Sequence, residues 1–239
     1  MSGHNKWSTI KRKKEKTDAA RGKMFTKYIR EIMIAARLGG GDPETNNRLR
    51  VAIQGAKAVN MPNENIKRAI QKATGEGGGV TYEEVIYEGY GPGGAAIYIY
   101  GTTDNKNRTA ADIRHVFGKH GGNLGDSGCV SWMFEPKGLI TVNTEQYDED
   151  TVMAAAIDAG ADDMQTADDL YEIYCSVDAI ENVKKGLETA KIHVNTAEMT
   201  RIPQSTIKLD EKDQERVLKL LDRLDELDDV SDVYNNVDW

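Results

Sequence analysis

The residues best suited to chemistry in this sequence are cationic side chains near its N-terminus. A single tryptophan, Trp7, lies within a run that is otherwise rich in lysine. Lysine and arginine neutralise phosphates and release the counterions that surround a nucleic acid, and an indole ring can stack on an unpaired base. The alternative is a tail that promotes solubility, with Trp7 folded onto neighbouring helices. The predicted nucleic-acid contacts in this run are Lys6, Trp7, Lys11, Arg12, Lys13, Lys14 and Lys16.

The cationic run belongs to an N-terminal arm, and a helix follows this arm. Residues 1–16 hold six Lys/Arg and almost no hydrophobic material, so we predict an arm that is disordered until a partner neutralises it. From Asp18 to Leu38 apolar residues recur every four positions, which predicts an amphipathic helix. Cations on and beside its polar face extend the predicted nucleic-acid surface, and these are Arg21, Lys23, Lys27, Arg30 and Arg37.

Two further helices follow. Gly39–Gly41 end the first helix, because glycine accepts the left-handed conformation at a C-terminus. Asp42-Pro43 is typical of an N-cap followed by proline at the first helical position. The second helix is expected to end at Asn60, and the third is expected between Pro62 and Gly75. We therefore predict a three-helix bundle over residues 17–75.

The net charge of −8 hides a strong asymmetry. Residues 1–75 contain 17 Lys/Arg and 6 Asp/Glu, a net of +11, whereas residues 76–239 have a net of −19. The positive third should be drawn to polyanions and the remainder should repel them. The acidic domains then offer a surface for a protein partner. Gly75–Gly79, with four glycines in five residues, is predicted to be a flexible linker that does not by itself hold the bundle in one fixed orientation.

Beyond this linker the pattern changes to strands and helices. Residues 137–202 follow the order strand, helix, strand, strand, helix, strand, which is the ferredoxin-like unit. We expect it to be inserted in a discontinuous α+β domain formed by residues 80–135 and 203–239, in which Cys129–Phe134 is predicted to be a strand. The predicted fold is α and α+β multidomain: an N-terminal three-helix bundle followed by two ferredoxin-like α+β domains, one inserted in the other.

Motifs for catalysis or cofactor binding are weak. Gly89–Gly94 matches G-x-G-x-x-G, but the dinucleotide fingerprint requires a following helix, whereas a strand follows here. We interpret it as a connection between two strands. His115 and His120 have no partner at metal-ligand spacing. The acidic pair Asp228-Asp229 is interpreted as part of a solvated face or a helix N-cap. We therefore predict no metal, no cofactor and no catalysis.

The number of cysteines and the length of the apolar runs predict the cellular location. Two cysteines, Cys129 and Cys175, are far apart in sequence, which suits a reducing compartment. No apolar run reaches the roughly 18 residues that span a bilayer, so no membrane contact is expected. We predict a cytoplasmic monomer.

Several blocks of the first 140 residues resemble the YebC family of regulatory proteins. These blocks keep their order and spacing, and they are residues 1–7, 21–27, 35–43, 60–62, 87–94, 103–109 and 119–125. The resemblance implies a helical domain followed by two α+β domains, the last inserted in the middle one. It also implies a cytoplasmic or mitochondrial regulator of gene expression. Bacterial relatives are described as DNA-binding transcriptional regulators, and other relatives act in translation at the ribosome.

Three hypotheses follow for function. The first is a regulator that binds duplex DNA at promoters, and its rival is a ribosome-associated factor that binds structured or ribosomal RNA. In both, Lys106 and Arg108 interrupt the acidic trend and provide a second phosphate contact. The remote alternative is an enzyme whose cleft is formed by the loops Gly89–Gly94, Thr103–Arg108 and Gly121–Gly125.

Overall fold

The structure, a computed structural model, describes residues 18–75, 81–167 and 169–239, with side chains from residue 22 onward. The predicted arm and most of the predicted linker lie outside these ranges. The described chain divides into two compact units. One comprises the described residues up to Val130 together with Leu209–Asn235, and the other comprises Ser131–Lys208 and Asn236–Trp239.

The first unit begins with three helices, as the apolar spacing predicts. They are α1 (Asp18–Gly39), α2 (Asn47–Ala58) and α3 (Asn63–Thr74). Their shared core is built from small and medium apolar side chains, which allow the helices to pack closely. Its most buried members include Ile32, Ala35, Ala36, Leu49, Ala56, Met61, Ile66 and Ala69. The helical N-terminal part of the predicted fold is thus confirmed.

The start of α2 differs from the prediction. Asp42 accepts a hydrogen bond from the backbone N–H of Glu44 within a turn, and the N-cap is Asn46. The Oδ1 atom of Asn46 accepts from Leu49 N at 3.0 Å. Its Nδ2 atom donates to the carbonyl oxygens of Ala35 and Gly40, both at 2.8 Å. The predicted cap at Asp42-Pro43 is wrong because one buried amide both starts α2 and satisfies carbonyls at the end of α1.

The first unit continues as an antiparallel sheet with two helices. Its strands are β1 (Glu83–Tyr90), β2 (Ala96–Thr103), β3 (Asn123–Leu124) and β9 (Val230–Asn235), in the order β3-β1-β2-β9. The helices are α4 (Lys106–Lys119) and α7 (Glu211–Asp225), which contact each other. Completely buried apolar side chains from both helices and from β2 form the core, including Ile97, Ile99, Ile113, Phe117, Leu220 and Leu221.

The strand predicted at Cys129–Phe134 is wrong. Residues Ser131–Met133 form a single 3-10 turn, and the next strand begins at Phe134. The backbone N–H groups of Gly128 and Val130 donate to the carboxylate of Glu88, both at 2.7 Å. Because a side chain takes these donors, this part of the backbone makes no sheet ladder with them.

The second unit has the ferredoxin-like arrangement. Its elements are β4 (Phe134–Asn143), α5 (Glu149–Asp158), β5 (Asp163–Ala167), β6 (Leu170–Cys175), α6 (Ile180–Thr189) and β7 (Thr196–Pro203). The sheet order β5-β6-β4-β7, antiparallel throughout, is that of a split βαββαβ unit. Two short strands, β8 (Ile207–Lys208) and β10 (Val237–Asp238), pair in parallel. The α+β multidomain class is confirmed.

Two backbone contacts bring the ends of this inserted segment together. Phe134 on β4 is the register partner of Pro203 on β7. Just outside them, Gln204 N donates to Met133 O at 2.8 Å. Among the helices of the described ranges, none has the length and apolar character needed to cross a bilayer.

Candidate nucleic-acid interface

The predicted contacts between Lys6 and Lys16 lie outside the described residues and stay predictions. Arg21 lies in α1, whose backbone is described at that position. The remaining predicted residues can be placed with their partners. They divide into cations that are engaged by carboxylates of the same unit and cations on more exposed surface.

Three cations of α1 face carboxylates. The Nζ atom of Lys23 lies 3.5 Å from Asp225, and that of Lys27 lies 2.9 Å from both carboxylate oxygens of Asp232. Arg30 lies 3.0 Å from Asp229. The spacing of i, i+4 and i+7 puts the three cations on one side of the helix, where the segment from the end of α7 into β9 supplies the acids. A phosphate could reach these cations only in competition with the carboxylates.

Arg30 is the most enclosed of the three. Its side chain is 11% exposed. Besides Asp229, its Nη1 atom donates to the carbonyl oxygens of Thr102 at 2.9 Å and Asp228 at 2.7 Å. The guanidinium also lies over the ring of Tyr82, 5.0 Å from the centroid, at cation–π distance. These contacts make Arg30 an anchor between α1 and the sheet.

Asp229 receives donors from a second direction. Its Oδ2 atom accepts from Arg108 and Thr109, both at 2.7 Å, and its side chain is 9% exposed. Burial alone would raise the pKa of Asp229, but hydrogen bonds from Arg108 and Thr109 and the charges of Arg30 and Arg108 lower it below its ordinary value. The interpretation of Asp228-Asp229 as a solvated face or N-cap is wrong for Asp229, because this carboxylate is the buried centre of the network.

The predicted second contact, Lys106 and Arg108, already has acidic partners. Lys106 lies 2.6 Å from Glu83, and Arg108 lies 2.7 Å from Asp104 as well as from Asp229. Roughly half of each cation's side chain stays exposed, at 57% and 47%. The two residues therefore lie at the surface, but Arg108 also has a structural task.

A second ionic cluster joins α1, α2, β1 and β2. Arg48 lies 3.3 Å from Glu31 and contacts Glu84, which in turn accepts a hydrogen bond from the Tyr100 hydroxyl. Burial raises the pKa of Glu31. Together with the Asp229 network, this cluster fixes the bundle to the sheet. These contacts, rather than the linker, hold the bundle against the sheet.

Arg37 and the exposed faces of α2 and α3 are less engaged. Arg37 is exposed and donates to the Thr81 hydroxyl. On α2 and α3, five exposed cations were missed by the sequence prediction: Arg50, Lys57, Lys67, Arg68 and Lys72. The available signal was the balance of residues 47–74, which contain six Lys/Arg and one acid, Glu64. The prediction was confined to the arm and the first helix, where the cations are denser along the chain.

Two of the three loops proposed for a catalytic cleft have structural explanations. Gly89–Gly94 spans the end of β1 and a 3-10 turn that leads into β2, with Gly93 at φ 66°, so its interpretation as a connection between strands is confirmed. Asn105 in the second loop is the N-cap of α4 and accepts from Arg108 N at 3.1 Å. Within the described ranges, no three His, Cys, Asp or Glu side chains form a group able to hold a metal ion.

Known proteins match the chain along nearly its full length. Residues 5–76 match the family described as TACO1/YebC protein N-terminal domain, and residues 82–237 match the TACO1/YebC second and third domain. A probable transcriptional regulatory protein of Pelotomaculum thermopropionicum is 58% identical, over 100% of this chain and 99% of that protein. One from Desulfosudis oleivorans is 54% identical, over 99% and 96%.

A solved structure has the same fold. The crystal structure of a conserved hypothetical protein from Aquifex aeolicus superposes with a TM-score of 0.86 at 51% sequence identity. The match covers 92% of this chain and 91% of that chain.

Proposed function

Because this chain belongs to the TACO1/YebC family, we propose that it regulates gene expression by binding nucleic acid, without catalysing a reaction. The observation that carries the proposal is the charge asymmetry, with a net of +11 over residues 1–75 and −19 over the remainder. A polyanion is attracted to the first region and repelled by the average surface of the second. The name of the relatives, probable transcriptional regulatory protein, supports the regulatory role.

Duplex DNA is the main candidate ligand. It fits the transcriptional role in the relatives' name, and it fits a surface of helices whose exposed cations can contact phosphates. The backbone phosphates would repel the acidic unit of residues 131–208, which is the candidate surface for a protein partner.

Structured RNA on the ribosome is the second candidate. The observation that favours it is Trp7, which lies in a lysine-rich arm and could stack on an unpaired base. Unpaired bases are common in folded RNA and rare in duplex DNA. In a translational role the same arm would contact RNA, and the helices would also contact ribosomal RNA instead of duplex DNA.

The test uses the full chain with two labelled probes, a DNA duplex and a hairpin RNA with unpaired bases, in fluorescence anisotropy titrations over a range of salt. If about five phosphates are neutralised, the slope of log affinity against log salt is about −4.5 for duplex DNA and about −3.5 for a single strand. Tighter binding to the duplex supports the transcriptional role, and tighter binding to RNA supports the translational one. Failure to bind either probe, or a flat salt dependence, overturns the proposal.

A further inference from the structure

We propose that α2, the turn after it and α3 form a helix-turn-helix unit that binds duplex DNA, with α3 as the helix that enters the major groove. This inference rests on the proposed function and adds to it a contact surface and a binding mode. In such units the first helix crosses the phosphate backbone while N-terminal residues of the second contact base edges.

The turn between α2 and α3 is as short as a helix-turn-helix unit requires. Only residues 59–62 separate Ala58, at the end of α2, from Asn63, at the start of α3. Asn60 adopts a left-handed φ of 59°, a conformation that asparagine tolerates better than most residues. Met61 N then donates to Ala56 O at 2.9 Å, which closes the turn. The tight turn gives the two helices a defined relative direction.

Buried side chains set which face of each helix points outward. Ala56 on α2 is completely buried, and Ile66 and Ala69 on α3 are each 5% exposed in the bundle core. Because Ile66 and Ala69 lie on the inner side of α3, the opposite side of this helix is available to a ligand. It consists of exposed residues with polar or charged side chains, namely Asn63, Glu64, Lys67, Arg68, Gln71 and Lys72.

The side chains on this outer face have the chemistry of base and phosphate recognition. Arginine pairs with the guanine edge in the major groove, and asparagine or glutamine pairs with adenine. Arg68 is 70% exposed, and its contact with Glu64 at 3.9 Å is a weak surface pair that a base or phosphate can replace. Lys67 and Lys72 flank it with further positive charge.

The outer face of α2 fits the role of the helix that crosses the backbone. Arg50 and Lys57 are exposed and lie seven residues apart, about two helical turns or roughly 10 Å along the axis. No acidic residue lies in α2. The cations of α1 do not compete for this role, because Lys23, Lys27 and Arg30 lie against carboxylates of their own unit.

Duplex DNA suits this arrangement better than duplex RNA does. The major groove of B-form DNA, about 12 Å wide, admits an α-helix, whereas the corresponding groove of A-form RNA is deep and narrow. An exposed helix with basic and amide side chains on one face therefore matches DNA in shape as well as in charge.

The test compares two double variants of the full chain. Lys67→Ala/Arg68→Ala removes two adjacent cations from α3, and Lys184→Ala/Lys185→Ala removes two adjacent cations from α6 as the matched control. We expect the α3 variant to bind a labelled DNA duplex at least roughly tenfold more weakly, with the salt slope reduced by about 2, because two phosphate or base contacts are lost. The control variant should bind like the wild type. Thermal melts of both variants establish that they are folded.

A second DNA probe tests whether binding requires access to the major groove. A duplex whose cytosines carry glucosylated hydroxymethyl groups has the same phosphates but an obstructed major groove. The wild type should bind it more weakly than the plain duplex, and the α3 variant should lose this discrimination. Equal wild-type affinity for both duplexes, or an α3 variant that binds DNA like the control variant, overturns the inference while the proposed function stands. Wild-type binding to hairpin RNA but not to duplex DNA does the same, and binding to neither overturns both.

Discussion

Arg30 of α1 donates to the carboxylate of Asp229 at 3.0 Å, although 199 positions separate the two residues in the chain. The same carboxylate accepts from Arg108 and Thr109 at the start of α4. One buried charge thus joins the helical bundle, α4 and the segment before β9. The negative charge of Asp229 is neutralised in part by Arg30 and Arg108, two cations that the sequence predicts to contact nucleic acid.

Replacing Asp229 with asparagine should strongly destabilise the first unit. The substitution leaves Arg30 and Arg108 without their buried counter-charge, and losing one partner of such a group costs about 3 kcal/mol or more. Urea unfolding of the full chain measures the change in the free energy of unfolding. Asp228→Asn, at the exposed neighbouring carboxylate, is the control and should change the midpoint little. Equal midpoints for the two variants would contradict the central role of Asp229.

The stabilising effect of Asp229 should depend on pH. Since the pKa of Asp229 is lowered in the folded protein, its contribution is present above the unfolded-state pKa of about 3.9 and is lost as the pH falls through the folded-state pKa. The difference in unfolding free energy between wild type and Asp229→Asn should therefore shrink on acidification below about pH 4. A difference that stays constant down to about pH 2 would show that the folded-state pKa is not lowered.

Lys27 and Asp232 should be coupled energetically. Both side chains are 22% exposed and lie 2.9 Å apart, so a double-mutant cycle with alanine should give about 1 kcal/mol at low salt and less at high salt. The matched control is Arg68 and Glu64, which are 3.9 Å apart and largely exposed and should give only about 0.3 kcal/mol. A coupling no larger than that of the control pair would mean that α1 is held to β9 by other contacts.

Asn46 should tolerate neither alanine nor aspartate. Alanine removes the N-cap of α2, whereas aspartate keeps the acceptor for Leu49 N but loses both donors to the carbonyl oxygens of Ala35 and Gly40. We expect Asn46→Asp to lower the free energy of unfolding by about 2 kcal/mol through the unsatisfied carbonyls. Thermal denaturation provides the measurement. Wild-type stability of Asn46→Asp would show that the donor function of this amide is dispensable.

Deleting residues 1–16 should weaken nucleic-acid binding without loss of the fold. The arm carries six Lys/Arg, and removing that many cations should reduce affinity by at least about tenfold near physiological salt. The truncated and full chains would be compared by anisotropy titration, with circular dichroism and thermal melts as controls for folding. Unchanged affinity in a folded truncated chain would place the whole contact on the helices.

Local patterns predicted much of the fold. The period of apolar residues located α1, and the order of elements identified the ferredoxin-like unit, because both depend on spacing along the chain. The role of Asp229 could not be predicted in this way. Its neighbour Asp228 is exposed, and nothing near it in sequence indicates that Arg30 and Arg108 will surround it. The cap at Asn46 was missed for a similar reason, since Asp42-Pro43 has the stronger local signal.

The pairing of β4 with β7 has a consequence for assembly of the first unit. The chain leaves that unit near Val130 and returns at Leu209, so β9 must find β2 across a long intervening segment. Once Phe134 is paired with Pro203, the distance along the chain that remains to be closed is only a few residues at each end. Loop-closure entropy rises with the logarithm of loop length, by about 0.6 kcal/mol per doubling. An inserted segment that folds first therefore lowers the entropic cost of bringing α7 and β9 to their sheet. Its interior can also gain residues or change in sequence without changing the effective length of the loop that the first unit must close.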